Sequence, residues 1–266
     1  TATINVGLDK SKSDGRKYNS ILYPVDPERR EIYSQERTDQ TLDAYLTYSK
    51  LFNEVHNLTV VAGHSYQDFE FDNYSYDSEL EEDGNDFEFI DKSKNVLLSY
   101  FGRLIYDYKS KYILTATLRA DASSKLNPDD QWGYFPSVAL AWNINKEDFM
   151  ANVGALDFLK LKASYGVIGD TGTALLNGFQ VFGINQDPNG NISYTISSEA
   201  ANPDLTWETS NVAQVGFEST WFGGRLGVDV DFYDRRTVDL IQIANLAPSS
   251  GQETIRYNSG ELLNQG

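Results

Sequence analysis

Hydrophobic and polar residues alternate with a period of two along much of this chain. In the segment 95–108, one side of the alternation carries Leu98, Tyr100, Gly102, Leu104, Tyr106 and Tyr108, and the other carries Ser99, Phe101, Arg103 and Asp107. After a break at 109–111 the pattern resumes with Tyr112, Leu114, Ala116 and Leu118 against Thr115, Thr117, Arg119 and Asp121. Successive side chains of a β-strand point to opposite faces, so this period predicts strands with one apolar and one polar face.

The same alternation recurs in other segments, and together they predict about nine strands. These segments are 3–8, 42–48, 58–62, 137–144, 159–167 and 226–232, with a further strand ending before Gly223. No long helix is predicted, although residues 146–151 are suited to one helical turn. The chain is therefore predicted to be all-β and antiparallel.

The connections between these strands alternate between short and long. Short ones are predicted at 52–56, 109–111, 145–157 and 223–224, and long polar ones at 9–40, 67–93, 122–131, 169–205 and from 237 onward. In an antiparallel sheet this alternation places every long loop on one side. Outer-membrane β-barrels are built in this way, with short periplasmic turns and long extracellular loops.

Aromatic residues gather at the short connections. Tyr106, Tyr108 and Tyr112 flank one, Trp142, Phe149 and Phe158 border another, and Phe217, Trp221 and Phe222 precede the third. Interfacial Tyr and Trp keep the ring in the acyl region and a polar atom among the lipid head groups. This placement favours a membrane barrel, whereas the alternation alone would equally suit a soluble sheet with one buried face.

The Gly223-Gly224 pair predicts a two-residue hairpin loop, because both glycines accept positive φ. Pairing Phe222 with Arg225 then places Phe217 opposite Val230 and Val215 opposite Phe232, all on the apolar face. The same register sets Glu218 against Asp229 on the polar face. Two like charges there destabilise the sheet unless water or a cation screens them, as a water-filled lumen would do.

Composition excludes several classes of function. The formal net charge of −17 leaves no basic surface for nucleic acid. The chain has no Cys and two His, His56 and His64, so thiol catalysis and zinc–thiolate sites are excluded and acid–base chemistry is poorly supplied. No apolar stretch approaches the ~20 residues of a membrane helix.

The ends of the chain suggest a piece of something larger. Thr1 opens directly into a strand-like run without a visible signal peptide, as in a mature or truncated sequence. About nine strands with open edges do not close a barrel, and unpaired backbone in lipid costs several kcal/mol per group. We therefore expect residues 1–266 to form one part of a transmembrane β-barrel.

Several long segments resemble the SusC/RagA family of TonB-dependent transporters. They are SYFGRLIYDYKSKYILTATLRAD (99–121), WGYFPSVALAW (132–142), LKLKASYG (159–166), NPDLTWET (202–209) and NSGELLNQG (258–266), in the order of the family. The resemblance covers most of the chain from residue 95. The first ninety residues share only the general character of the family and no specific motif. It departs at Ala122, at Lys125-Leu126 and at Ile168-Gly169-Asp170, which puts any borrowed substrate contact in doubt.

The resemblance implies an outer-membrane importer of oligosaccharides or peptides. It implies a 22-stranded barrel, an N-terminal plug, the inner-membrane TonB complex as the energy source and a SusD-like surface lipoprotein as a lid. The chain would then be a middle-to-late part of the barrel, with the plug and the N-terminal domains absent. It would meet the TonB complex through that missing N-terminal part, and it would not be an enzyme.

Arg119, Asp121, Asp129, Asp130 and Trp132 are the candidate substrate-facing residues, because they lie beside a predicted long loop. In this interpretation they line the external mouth, and Trp132 stacks on a sugar or peptide. The alternative is a salt-bridged ladder inside the barrel together with one interfacial Trp, since charged ladders fill most barrel interiors. His64, on an apolar stripe, is interpreted as an interfacial residue.

No catalytic trio, metal site or cofactor is predicted. Oxygen-rich runs at 77–88 and 187–191 could hold Ca²⁺, but neither has the twelve-residue spacing of a calcium loop, so a solvated loop is favoured. Tyr74, Tyr76, Phe87 and Phe89 could pack on the lipoprotein lid or fold their own loop. The rival functions are a soluble or surface-attached glycan-binding sheet protein and, with less support, an outer-membrane hydrolase.

Overall fold

A computed structural model describes residues 1–19, 29–79, 86–172, 182–186 and 192–266. The described residues form β-strands and three single 3-10 turns, at Ile144–Lys146, Asp148–Met150 and Pro248–Ser250. The strands are β1 (Ala2–Asn19), β2 (Arg29–Phe52), β3 (His56–Glu79), β4 (Asp86–Tyr108), β5 (Tyr112–Ser123), β6 (Trp132–Asn143), β7 (Leu156–Asp170), β8 (Phe182–Gln186), β9 (Ile192–Ile196), β10 (Glu199–Ala200), β11 (Glu208–Trp221), β12 (Leu226–Val238), β13 (Ile241–Asn245), β14 (Thr254–Asn258) and β15 (Glu261–Gln265). The predicted all-β class is confirmed.

Ten strands form one sheet in the order β1-β2-β3-β4-β5-β6-β7-β11-β12-β15. Every pairing from β5 to β15 in this sheet is antiparallel. Nine of the ten are the strands predicted from the alternation, and β15 is an addition from the segment predicted as a loop after residue 237. β1 and β15 are the edges, so the described sheet stays open and does not close a barrel.

The short connections are confirmed, and two of them are hairpin turns of two residues. Asn53 and Glu54 have φ of 48° and 60°, and Lys109 and Ser110 have φ of 53° and 51°. Positive φ at both central residues gives the turn a twist that matches the twist of the flanking strands. The 145–157 connection holds two 3-10 turns, close to the predicted helical turn.

The prediction of long loops at 9–40 and 67–93 is wrong for most of their residues. Strands β1 to β4 continue through these segments and reach 18, 24, 24 and 23 residues. The backbone ladder needs no apolar residue, so a hairpin can extend into water with polar side chains on both faces. Such a strand lacks the alternation by which it would be recognised.

Two smaller sheets lie within the other predicted loops. β8 pairs with β9 in the 169–205 segment, and β10, β14 and β13 form a three-stranded sheet that joins this segment to the one after residue 237. The β10–β14 pairing is parallel. The long connections are thus partly folded and tied to each other.

The described residues divide into two compact units, and β1 to β4 contribute to both. The first comprises residues 1–3, 44–64 and 98–266, and the second comprises residues 4–43 and 65–97. Buried hydrophobic side chains among the described residues number five, and all belong to the first unit: Ala122, Leu126, Phe135, Leu205 and Trp207. The strands therefore do not enclose an ordinary core.

The apolar face of the strands is left exposed. Five apolar or aromatic residues of this face in the first unit are each more than half exposed: Leu46, Tyr100, Leu140, Val215 and Phe232. The exposed fraction of Val215, for example, is 61%. No helix or second sheet among the described residues covers this face. So much exposed apolar surface exceeds what water-soluble proteins tolerate, whereas a lipid-facing sheet requires it.

The register predicted around Gly223-Gly224 is confirmed for both faces of the sheet. Val215 pairs with Phe232, Phe217 with Val230, and Glu218 with Asp229. The turn itself differs from the predicted two-residue loop, because Phe222 also has a positive φ of 57° and the Arg225 amide donates to the Trp221 carbonyl at 3.1 Å.

Lys162 of β7 supplies the cation that the Glu218–Asp229 pair requires. Its Nζ lies 3.1 Å from Glu218, 3.2 Å from Asp229 and 2.9 Å from Asp231. Lys160 adds a second contact to Glu218 at 3.4 Å. The screening thus comes from a neighbouring strand, and three carboxylates on β11 and β12 share one ammonium group.

Replacing Lys162 with Met is expected to lower the thermal unfolding midpoint of the full-length protein in detergent. The change leaves Glu218, Asp229 and Asp231 facing one another with only Lys160 nearby, and like charges on directly paired strands repel. Lys162→Arg keeps the charge and is the control. Equal midpoints for the Met variant and the wild type would contradict the assigned role of this ammonium group.

Candidate functional site

A row of neighbouring rings crosses four strands at their short-turn ends. His56 of β3, Tyr108 of β4, Tyr112 of β5 and Trp142 of β6 follow one another with centroid separations of 4.9, 6.4 and 6.2 Å. His56 Nδ1 also lies 2.6 Å from the Tyr106 hydroxyl. We call these four residues the short-turn row. They lie at the short connections where the sequence predicts a cluster of interfacial aromatic residues.

Glu147, in the connection between β6 and β7, joins the polar atoms of this row. Its carboxylate accepts from the Tyr112 hydroxyl at 2.7 Å, the Trp142 indole at 3.0 Å and Lys111 Nζ at 3.0 Å. These hydrogen bonds, led by those from Tyr112 and Trp142, lower the pKa of Glu147 to about 2. No sequence pattern marks Glu147, because two of its three donors, Lys111 and Tyr112, lie 36 and 35 residues away in the chain.

A second row of rings lies further along the same strands. The ring of His64 of β3 lies 4.8 Å from that of Tyr100 of β4 at a tilt of 30°, and Tyr100 stacks on Trp132 of β6 at 6.1 Å. We call this the long-loop row. It lies eight residues from the short-turn row on both β3 and β4, which is about 26 Å along a strand and about 20 Å across a barrel after strand tilt. That spacing is comparable to the ~25 Å apolar band between the aromatic girdles of membrane barrels.

The structure brings together two of the five candidate substrate-facing residues. Arg119 Nε donates to both carboxylate oxygens of Asp121, at 2.7 and 2.8 Å, and its Nη2 donates to Ser99 Oγ at 2.8 Å. Asp121 pairs with Gly133, so Trp132 at the next position points to the other face and belongs to the long-loop row. This geometry matches the alternative of a charged ladder plus an interfacial Trp, and cargo contact by Arg119 and Asp121 stays a prediction.

Asp129 and Asp130 lie in the turn between β5 and β6 and are exposed. The Asp130 amide donates to the Asn127 carbonyl at 2.9 Å, which closes that turn. Neither carboxylate approaches the Arg119–Asp121 pair through any described ion pair or hydrogen bond. Of the five candidates, Arg119 and Asp121 are thus the two that the described contacts join.

Sequence reasoning missed a small packed cluster on the polar face of the sheet. Phe135 of β6 meets Trp207 edge-on at 5.3 Å, while Leu126 and Leu205 are fully buried. The Trp207 indole donates to the Gln131 carbonyl at 3.0 Å. We call Leu126, Phe135, Leu205 and Trp207 the loop core; it joins the connection after β5 to the segment before β11. The sequence signal for this cluster is that Phe135, an aromatic residue, falls on the polar side of the alternation.

Two glycines make room for the loop core. A Cβ added at Gly133 or Gly169 would overlap the Phe135 ring. Gly169 pairs with Thr209 of β11, two residues after Trp207. The sequence departs from the family pattern at Ile168-Gly169-Asp170. Even so, Gly169 leaves the space that the Phe135 ring occupies.

Asparagine side chains fasten the next part of the chain to the loop core. Asn258 Oδ1 accepts from the Thr206 amide at 2.8 Å, and its Nδ2 donates to the Thr206 carbonyl at 2.9 Å. Asn202 Nδ2 donates to the Arg256 carbonyl at 2.8 Å, and Arg256 Nε is 2.7 Å from Glu199. The segments 197–207 and 239–258 are held together as one loop assembly.

In the second unit, β1, β2 and β3 line a polar cleft of about 380 Å³. Its lining residues are Ser13, Lys17, Glu31, Tyr33, Gln35, Asn73 and Ser75. Tyr33 lies over Gly15, where a Cβ would overlap its ring. An aromatic face surrounded by amides and hydroxyls is the kind of surface that binds polar ligands.

The remaining predictions concern metals, helices and the aromatic loop. The proposed Ca²⁺ run at 187–191 lies outside the described residues, as do residues 80–85 of the run at 77–88, so calcium binding stays a prediction. The side chains of Phe87 and Phe89 are outside the description, and Tyr74 is partly exposed. In the described part of the chain, no helix has the length and apolar character needed to cross a membrane.

Comparison with known proteins identifies relatives along the whole chain. The family model described as TonB dependent receptor-like, beta-barrel matches residues 3–266. TonB-dependent receptor P39 of Formosa agariphila is 31% identical over 98% of this chain, and TonB-dependent receptor SusC of Bacteroides thetaiotaomicron is 34% identical over 65% of it. This chain spans 25% and 18% of those two proteins, so it corresponds to about a quarter of the length of the first relative.

Solved structures share the fold. The RagAB peptide importer in its closed-closed state superimposes with a TM-score of 0.86 at 24% identity, over 99% of this chain and 31% of that one. The FpvAI–pyocin S2 complex gives a TM-score of 0.59 at 14% identity, over 99% of this chain and 34% of that one. The open sheet described above is thus similar to part of a larger barrel.

Gly169→Ala is expected to destabilise the protein by about 1–3 kcal/mol, the usual range for overpacking. The new methyl group would displace Phe135 and loosen the loop core. Gly102→Ala is the matched control, because Gly102 also lies within a strand but a Cβ there meets no atom within 4 Å. Urea unfolding in lipid vesicles measures both variants, and equal losses would argue against the packing role of Gly169.

The lowered pKa of Glu147 predicts a specific pH dependence. The folded pKa is about 2 against an ordinary value of 4.5, so the carboxylate stabilises the fold above pH 4.5 and loses that effect as the pH falls through 2. The difference in thermal midpoint between wild type and Glu147→Gln should therefore shrink across that window. Asp148→Asn, at an exposed neighbouring carboxylate, is the control and should leave the profile nearly unchanged.

Proposed function

Because this chain belongs to the TonB dependent receptor-like β-barrel family of outer-membrane proteins, we propose that it forms part of the barrel of a nutrient importer. The importer would carry oligosaccharides or peptides across the bacterial outer membrane and draw its energy from the TonB complex. One observation carries the proposal: the apolar face is exposed and is bounded by the short-turn row and the long-loop row. A face of that kind is stable against lipid and unstable against water.

The cargo class and the partners rest on the resemblance of the sequence. The resemblance to the SusC/RagA family implies oligosaccharides or peptides, and the RagAB structures are of a peptide importer. A SusD-like surface lipoprotein would contact the long-loop side, and the TonB complex would act through segments outside this chain. The loop core and the loop assembly would give such a partner a firm surface to bind.

Cargo would pass along the polar face of the sheet. In this proposal Arg119 and Asp121 line the path, and the polar cleft around Tyr33 provides a further contact for polar ligands. The chain would contribute no catalysis, since its family consists of transporters and no nucleophile with a base and an orienting group was found in the sequence. The barrel would be passive in chemistry, and a plug would gate it.

A soluble glycan-binding protein is the rival function. It requires a second protein layer over the apolar face, and the described residues supply none. It also requires residues 1–266 to fold in buffer as a cooperative monomer. The barrel proposal forbids this, because ten strands with two open edges and an uncovered apolar face would aggregate in water.

Fractionation of cells that produce the full-length protein tests the proposal. The protein should remain with the outer membrane after washes with high salt and carbonate, and detergent should release it in a form that migrates differently before and after heating. Recovery of the protein in the soluble fraction without detergent would overturn the barrel assignment. A cooperative, monomeric unfolding transition of residues 1–266 in plain buffer would favour the glycan-binding rival.

A further inference from the structure

The exposed apolar face contains a groove near the short-turn row. It spans β4 to β7 and β11 within the first unit and has a volume of about 590 Å³, which lies within the range of ligand pockets. Its lining is almost entirely carbon. Its lining includes the exposed apolar side chains of Leu140, Leu161 and Val215, and Lys162 also contributes to it.

The register explains why a groove forms at this place. Leu114, Leu140, Ala163 and Val215 are paired in succession across β5, β6, β7 and β11, so they form one row on the apolar face. Ala163 is the small member of that row, between Leu140 at 57% exposure and Val215 at 61%. A methyl side chain between two larger ones leaves a depression about one residue wide.

The next row of paired residues closes the groove on the short-turn side. Tyr112, Trp142 and Leu161 are paired in succession on β5, β6 and β7. The two rings send their polar atoms to Glu147, away from the groove, at 2.7 and 3.0 Å. An apolar channel therefore ends at a polar site, an arrangement that matches an amphiphilic molecule.

The polar site carries both signs of charge. Lys111 Nζ lies 3.0 Å from Glu147 and 3.5 Å from Asp148, and the Asp148 side chain is fully exposed. Lysine has three donors, and Glu147 and Asp148 occupy two of those of Lys111, whose side chain is 19% exposed, so one donor is left for a further acceptor while Asp148 is open to a cation. A zwitterionic head group, with a phosphate and an ammonium a few ångströms apart, complements this pair.

We propose that the groove holds one acyl chain of a zwitterionic phospholipid, with its phosphate at Lys111 and its ammonium at Asp148. The occupant is a lipid because the groove is continuous with the lipid-facing side and ends at the height of the head groups on the short-turn side. The inference rests on the lipid-facing orientation in the proposed function, and it is independent of the cargo. The bound lipid would fill the depression at Ala163 and support the short-turn row.

Native mass spectrometry of the full-length protein tests the inference. Protein purified in a mild detergent and incubated with phosphatidylethanolamine vesicles should retain one phospholipid per chain. Ala163→Phe fills the groove, and losing contact with about two methylenes lowers retention by about tenfold. Ala120→Phe is the matched control, because Ala120 also lies on the apolar face of β5 but does not line the groove.

Asp148→Asn provides a second variant that does not touch the groove. It should reduce retention of phosphatidylethanolamine more than retention of phosphatidylglycerol, which has no ammonium group. Heat-dependent migration shows whether each variant folds, and Ala163→Leu replaces Ala163→Phe if the larger ring prevents folding. Unchanged lipid retention by folded Ala163 variants, or a wild type that binds detergent or a second protein chain there instead, overturns the site. A soluble full-length protein would instead overturn the proposed function.

Discussion

Backbone hydrogen bonding in hydrocarbon is the constraint on which this structure depends. Lipid offers no partner for an amide or a carbonyl, so each strand must satisfy its backbone through its neighbours. The antiparallel ladder from β5 to β12 does so residue by residue, and the turns continue it: the Asp157 carboxylate accepts the Gly223 and Gly224 amides at 2.7 and 3.1 Å. Because the backbone groups are paired within the sheet, the side chains of one face can match lipid and those of the other face can match water.

The two faces of the sheet therefore differ in the chemistry of their side chains. One face carries apolar side chains that stay exposed because their partner is lipid, and the other gathers charges that must balance among themselves. Lys162 shows how the balance is reached, since one ammonium group on β7 serves carboxylates on two other strands. Because β7, β11 and β12 carry opposite charges in register, the polar face also helps to align the strands.

The ends of the strands are specialised in different ways. At the short turns, Glu147 ties the short-turn row to the connection between β6 and β7, which fixes the sheet where lipid meets water. At the long loops, the Asn258–Thr206 contacts join residues 52 apart in the chain, and the Trp207–Gln131 hydrogen bond at the loop core joins residues 76 apart. Packing of this kind gives the long-loop side a defined surface, as recognition of cargo or of a lid requires.

Alternation and turn residues in the sequence by themselves determined nine of the ten strands of the main sheet, the apolar and polar faces, the short connections and the pairing of Val215 with Phe232. These features depend on neighbours along the chain, which the sequence displays directly. Only the tertiary structure decided how far β1 to β4 extend, that Lys162 rather than water screens Glu218 and Asp229, and that Trp132 lies apart from Arg119 and Asp121. It also decided that Phe135 meets Trp207 and that Leu126 and Leu205 are fully buried. Such contacts join residues distant in the chain, and strands with polar residues on both faces carry no periodic signal, so local patterns could not show them.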